Sequence, residues 1–291
     1  MNKSLLVCTD LDRTLLPNGS QPESDGARGL FKRFCSHPNI ELVYVSGRDK
    51  SLLLDAISQY DLPVPDYAIG DVGTSIYKVI DKQWAIDEQW LNLIGNDWGG
   101  RRQQDLSQLL APITGLRLQE PEKQNNYKLS YYVELENDPK RLIEQIDSRL
   151  QENQIESNII WSIDEPNRIG LLDILPRSAD KLTAIRFLAD KLPVDSERVI
   201  FSGDSGNDLS VLTSELKATL VANAAPEVVR QAKEMTQKSN TTDQLYFAKG
   251  TLGHMNGNYA SGILEGIYHY FPDTRNWIDE LLAKTEGYSS S

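Results

Sequence analysis

Leu5-Leu6-Val7-Cys8-Thr9-Asp10-Leu11-Asp12-Arg13-Thr14-Leu15 is the stretch that decides the fold. The apolar run Leu5 to Thr9 stops at an acidic turn, the pattern of a strand buried on both faces. In an extended segment residues i and i+2 point the same way, so Asp10 and Asp12 both project beyond the strand end. Two carboxylates that close repel unless a proton or a cation intervenes. A hard divalent cation resolves the repulsion, and magnesium suits phosphate chemistry. Taken alone, the pair also reads as a plain acidic turn.

Moving outward, Ile40 to Val45 is a second apolar run, ending in Ser46-Gly47-Arg48-Asp49. Asp49 suits a helix N-cap, with Leu52, Leu53, Ala56 and Ile57 on one face behind it. Tyr67 to Ile69 reads as a third strand and Leu171 to Leu175 as a fourth. A helix is predicted from about Asp180 to Leu192, with Leu182, Ile185, Leu188 and Leu192 at helical spacing and a stop at Pro193. Arg198 to Phe201 and Ala218 to Val221 make a fifth and a sixth strand. Strands alternating with helices imply an α/β fold, a mostly parallel sheet with helices on both faces. Ligands of such sheets bind outside the carboxyl ends of the strands. Polar motifs stand at those ends, after Thr9, Val45, Leu175 and Ser202.

The middle of the chain differs. Trp84, Trp90, Trp98 and Trp161 lie there, with an alternating stretch Lys128 to Glu134 and an amphipathic one Pro139 to Gln151. We expect residues 82–168 to form a small α+β domain inserted into a core of residues 1–81 and 169–291, with hinges near 80 and 170. Gly287 to Ser291 reads as a frayed tail.

Three more motifs carry chemistry. Gly203-Asp204-Ser205-Gly206-Asn207-Asp208 follows a strand and adds two carboxylates, and glycine lets backbone approach a ligand. Four acids at one crevice are costly to fold without a cation. Ser46-Gly47 at a strand-to-helix junction is either a plain cap or an anion site. Lys181 at a helix start opposes the macrodipole, which a nearby phosphate would explain.

Composition bounds the partners. A net charge of -12 over 291 residues argues against nucleic acid and anionic membranes. Cys8 and Cys35 lack metal-ligand spacing, and the expected compartment is a reducing cytoplasm. The apolar run before Asp10 is too short for a signal-peptide core, and no run is long enough for a membrane span.

Together, Asp10-Leu11-Asp12-Arg13-Thr14, Val45-Ser46-Gly47-Arg48, Lys181 and Gly203 to Asp208 resemble the four motifs of haloacid dehalogenase-type phosphatases, in order. Gly73 to Tyr77, Asn126 to Tyr131, Leu172 to Pro176 and Gly262 to Ile267 are similar to sucrose-6-phosphate phosphatases. Ser75 stands where that family carries glutamate, Leu182 where a glycine follows the lysine, and Phe247 to Tyr259 is longer than expected. The resemblance implies a doubly wound, Rossmann-like core sheet with an inserted α+β cap, acting on a phosphosugar. It implies Asp10 as nucleophile and Asp12 as general acid and base. Mg2+ would be held by the Asp10 carboxylate, the Asp12 carbonyl and Asp204, with Asp208 orienting them. Ser46 and Lys181 would bind phosphoryl oxygens, beside Gly47 and Asn207. Lys128, Tyr77, Tyr127 and Arg48 are the candidates for the sugar, and His254, Asn256 and Asn258 lie in a loop that could reach the crevice. Another glycosyl phosphate, of a mannosyl or glucosyl compound, is the near alternative. A phosphosugar mutase and a non-catalytic binding protein are the others, and a synthase partner is left open.

Overall fold

The computed structural model describes residues 4–164 and 167–286; the tail from Gly287 lies outside them. In chain order the strands are β1 Leu5–Thr9, β2 Ile40–Val45, β3 Tyr67–Gly70, β4 Ser75–Ile80, β5 Gln83–Ile86, β6 Arg117–Leu118, β7 Leu129–Val133, β8 Ser157–Asp164, β9 Ile169–Pro176, β10 Val199–Gly203, β11 Lys217–Leu220 and β12 Leu245–Phe247. The helices are α1 Ala27–Cys35, α2 Lys50–Gln59, α3 Glu88–Gly95, α4 Gln103–Leu110, α5 Pro139–Glu152, α6 Lys181–Lys191, α7 Leu209–Leu212, α8 Pro226–Ser239, α9 Ala260–Tyr270 and α10 Arg275–Glu286.

β1 sits inside an eight-stranded sheet of order β12-β11-β10-β1-β2-β3-β4-β5, parallel from β12 to β3. Its residues alternate between two cores. Leu5 and Val7 pack with α1, α2, α9 and α10, while Leu6 and Cys8 pack with α3, α6, α7 and α8. That two-sided burial is why the run is apolar without alternation. Asp49 caps α2 by accepting from Leu52 N at 2.9 Å, as its type and place predict. Asp180 caps α6 through Thr183 N at 3.0 Å, which fixes Lys181 at the first helical position.

A second, antiparallel sheet of order β6-β7-β9-β8 carries α4 and α5 on one face, over Trp98, Leu106, Leu142, Ile146, Tyr131 and Leu172. This is the α+β cap, but the sheets divide the chain elsewhere than expected. The run Leu171 to Leu175 is not a core strand: it lies in β9, which pairs with β7 and β8 in the cap sheet. Its burial along Ile169 to Leu172 alternates, as for a strand with one wet face. At the other boundary, β4 and β5 form a hairpin that extends the large sheet, so Trp84 belongs to the core. The hairpin turns at Asp81 and Lys82, both with positive φ and neither a glycine, so the usual asparagine–glycine signal is missing. Trp90 on α3 is a core residue too. The chain therefore crosses between the sheets over residues 96–102 and 177–180, not near 80 and 170. The two crossings touch, with Ser178 N donating to Asp97 Oδ2 at 2.6 Å. Tyr127 packs against both the core and the cap. No helix among the described residues is long and apolar enough to cross a membrane.

Candidate active site

The carboxyl ends of β1, β2 and β10 and the start of α6 converge. Asp10 N donates to Ser202 O at 2.9 Å, which locks the end of β1 to β10. The two acidic motifs are thereby neighbours although about 190 residues apart. Lys181 Nζ donates to Asp10 Oδ1 at 2.9 Å and to Asp208 Oδ1 at 2.7 Å, and lies 3.5 Å from Asn207 Oδ1. Thr14 Oγ1 is 3.1 Å from Asp204 Oδ1 and 3.4 Å from Asp10 Oδ2, a hydroxyl shared between two carboxylates. Asp208 Oδ2 accepts from the backbone of Asp204 and Ser205 and from Ser205 Oγ at 3.0–3.2 Å. Asp208 therefore shapes the loop that presents Asp204 and holds Lys181 from behind.

Charge in this cluster is finely opposed. Burial is the largest influence on Asp10 and raises its pKa; Lys181 works against it, Asp208 and Asp204 reinforce it, and the carboxyl ends at about 7. Burial and the neighbouring Asp208 push Asp204 up to about 6, against Thr14, Arg13 and Lys181. Burial works against the Lys181 charge as well, but two carboxylates outweigh it and its pKa ends raised. Lys181 meets two partners of opposite sign, whereas Asp10 meets one cation and two like charges. Carboxylate oxygens of Asp10, Asp204 and Asp208 all lie within 4.8 Å of one another. Hard oxygen donors with an excess of negative charge fit a divalent cation. Asp10, Asp204 and Asp208 are the residues that could hold one.

Asp12 is turned elsewhere. Arg48 grips its carboxylate at both ends, Nε to Oδ2 at 2.8 Å and Nη2 to Oδ1 at 2.7 Å, and Asn18 donates at 2.7 Å. Partial burial pushes the Asp12 carboxyl up, but the Arg48 bonds and charge, with Asn18, prevail and hold it below its usual range. Its side chain is not in the acidic cluster, so any metal contact from Asp12 falls to its backbone carbonyl. Ser46 is buried, with Arg48 N donating to its Oγ at 3.2 Å. A Cβ on Gly47 would meet only Val72 at 3.8 Å, so space does not demand the glycine.

Of the sugar candidates, Tyr127 packs against both core and cap. Tyr77 on β4 lies against Trp84, under Lys50 Nζ at 5.6 Å from its ring. Lys128 is buried in the cap, just before β7. Tyr127 stacks edge-on with Trp98 and fills the space over Gly95. Sequence reasoning passed over Thr14, although it belongs to the first motif, and Asp71. Asp71 follows β3 directly, the same position in the sheet that Asp10 and Asp204 occupy after theirs. That position was the available signal. Ser75, in the place of the expected glutamate, donates to Asp71 Oδ2 at 2.9 Å. The loop holding Asn256 and Asn258 closes instead on the segment after the first motif, both amides donating to Pro22 O at 2.9 Å. Glu265 pins that loop through Gly250 N, Lys249 N and Thr251 Oγ1.

Comparison with known proteins defines the class first. A protein of Nitrosococcus oceani described as a HAD-like hydrolase is 52% identical over 96% of this chain and 75% of its own length. Fold, site and relatives together define a phosphatase of the haloacid dehalogenase superfamily. The chain belongs to the sucrose-6F-phosphate phosphohydrolase family, whose model matches residues 3–271. Mannosylfructose-phosphate phosphatase of Agrobacterium fabrum is 28% identical over 91% of this chain and 96% of its own. The sucrose-phosphatase of Synechocystis, solved with sucrose and phosphate, shares the fold with a TM-score of 0.69 at 24% identity, over 92% of this chain and 98% of that one.

Proposed function

We propose that this phosphatase hydrolyses a phosphorylated sugar, sucrose-6-phosphate in the first instance, with Mg2+ and through an aspartyl-phosphate on Asp10. The observation that carries the reading is the buried set of Asp10, Lys181, Asp204 and Asp208 at the strand ends. Family membership across both sheets directs it to phosphosugars.

The chemistry follows from positions. A carboxylate oxygen of Asp10 attacks phosphorus as the bond to the sugar oxygen breaks. That oxygen takes a proton from Asp12, and a water then attacks phosphorus, returns a proton to Asp12 and frees Asp10. To carry a proton, Asp12 must give up a bond to Arg48, which favours its charged form. Lys181, Ser46, Gly47 and Asn207 line the phosphoryl site, and removing one such donor costs roughly 100- to 1,000-fold in rate. Asp10 and Asp204 would hold Mg2+, which when bound offsets charge on the nucleophile and the phosphoryl oxygens.

The test is Mg2+-dependent phosphate release across sucrose-6-phosphate, mannosylfructose phosphate, glucosylglycerol phosphate and hexose monophosphates. A preference of more than about tenfold, or about 1.4 kcal/mol, for sucrose-6-phosphate supports the first choice. Preference for mannosylfructose phosphate moves the substrate to that of the Agrobacterium relative. No release from any phosphosugar would sink the reading, and isomer formation without release would replace it with a mutase.

A further inference from the structure

We propose that Asn18 is a positioning residue for the reaction: it fixes the carboxylate of Asp12, and the loop leading into α9 braces the segment that carries Asn18. This rests on the sugar-phosphatase reading, in which Asp12 gives the departing sugar oxygen its proton.

Asp12 is held from two sides. Arg48, just before α2, engages both carboxylate oxygens, and Asn18 Nδ2 donates to Oδ1 at 2.7 Å from a different segment. An arginine side chain is long and rich in rotamers, so alone it would let the carboxylate swing. A second anchor from elsewhere in the chain removes that freedom. Reacting groups gain most when their orientation is set beforehand, and small misplacements are costly. The Asn18 amide is itself fixed, because its Oδ1 accepts from Arg13 N at 2.8 Å. One side chain thus ties the backbone of the first motif to the carboxylate of the same motif.

Asn18 is exposed and belongs to no helix or strand, so other parts of the chain must hold it. Asn223, buried just after β11, donates from Nδ2 to Arg13 O at 2.6 Å, and its Oδ1 accepts from Tyr259 N at 2.9 Å. Arg13 is thereby gripped at its N–H by Asn18 and at its carbonyl by Asn223, which keeps it at a φ of 59°. Tyr259 is fully buried and donates its hydroxyl to Gln21 O at 3.1 Å. A Cβ on Gly19 would come within 2.7 Å of that hydroxyl, so the tip of the ring lies against the residue next to Asn18. Asn256 N donates to Ser24 Oγ at 2.9 Å, beside the two amides on Pro22 O. Gly19, Gln21, Pro22 and Ser24 are therefore all touched by the stretch 256–259. Tyr259 has a φ of 52°, a conformation an aromatic residue keeps only where its surroundings impose it. The earlier part of the loop is pinned by the buried Glu265 of α9. The brace thus runs from α9 through Tyr259 and Asn223 to Arg13, Asn18 and the Asp12 carboxylate.

The experiment measures release of the leaving group in the first turnover, which reads transfer to Asp10 alone. Two esters are compared, the phosphosugar cleaved fastest in the panel above and p-nitrophenyl phosphate. Nitrophenolate departs without a proton, whereas a sugar oxygen needs one. Asn18→Ala should slow sugar release at least about tenfold and nitrophenol release less than about twofold. Tyr259→Phe, which removes only the hydroxyl, should give the same split more weakly. Asp12→Asn should show the largest split, and adding Asn18→Ala to it should change neither ester further. Equal slowing of both esters by Asn18→Ala would overturn the proposal, since a merely structural role moves both alike, and so would unchanged or faster sugar release. If Asp12→Asn shows the split and Asn18→Ala does not, the phosphatase reading stands and only the positioning role is lost. If Asp12→Asn shows none, Asp12 is not the proton donor and the reading fails with the proposal. A split in Asn18→Ala but none in Tyr259→Phe would overturn the brace. Should Asn18→Ala fail to fold, Tyr259→Phe decides the matter alone.

Discussion

Asp10 is asked to be a charged nucleophile in a place that disfavours its charge. Its carboxyl sits at about 7 and that of Asp204 at about 6, both raised by burial before any other cause. Without metal, the native state therefore holds protons that the unfolded chain has released. The stability these groups contribute is full below about pH 4 and is lost as pH rises towards 6 and 7. A cation at the site displaces those protons, so Mg2+ should raise the melting temperature more at pH 8 than at pH 5.5. Equal gains at both pH values in a thermal melt would place the cation elsewhere. Asp10→Asn should cut phosphate release by at least about 10^4-fold, with the fold retained as judged by circular dichroism. Lys181→Met leaves two buried carboxylates without their cation and should cost about 3–5 kcal/mol in denaturant unfolding. These residues were legible in the sequence because each directly follows a recognisable strand or opens a recognisable helix. Asp71 obeys the same rule and was still missed, since Gly70-Asp71-Val72-Gly73 has the composition of an ordinary turn.

At the level of elements, that turn does more than reverse the chain. Asp71, Val72 and Gly73 all have positive φ, at 52°, 60° and 98°. A β-branched residue there is strained, by about 1–3 kcal/mol. The turn is held in place by what surrounds it. A Cβ on Gly73 would come within 2.8–2.9 Å of the Asp180 backbone, at the cap of α6, and Trp90 Nε1 donates to Gly73 O at 3.0 Å. Gly73→Ala should therefore cost about 1–3 kcal/mol in urea unfolding and lower kcat, because the displaced element begins with Lys181. Unchanged kcat would mean that α6 tolerates the shift. The parallel strands were readable as continuous apolar runs. β9 was misplaced because Leu171 to Leu175 looks continuous too, and only its pairing with β8 shows which sheet owns it. The β4–β5 hairpin escaped notice because its outer residues alternate at a sheet edge and its turn lacks glycine.

At the scale of the molecule, contacts between core and cap include Asn125 on Thr74 and Tyr127 packed against both, while Ser178 on Asp97 ties the two crossings together. The chain crosses only twice, which permits the cap to rock about residues 96–102 and 177–180. Solution scattering should report a smaller radius of gyration when Mg2+ and a product sugar are added together, and an unchanged profile would count against the motion. The inserted position of the cap could be read from composition, but its borders could not, because a hairpin continuing one sheet and a strand joining another look alike in one dimension.

The central place of β1 has a consequence for how the enzyme comes into being. β1 pairs with β2 at once but with β10 only after the whole cap and α6 have been made. During synthesis Asp10 emerges early, while Lys181, Asp204 and Asp208 are still unmade, so the nucleophile waits in an unburied, ordinary carboxylate state. A nascent chain or a fragment ending before residue 208 should release no phosphate. Pairings this distant in sequence also slow folding, so activity should appear in a single late step, when the second acidic loop docks beside the first.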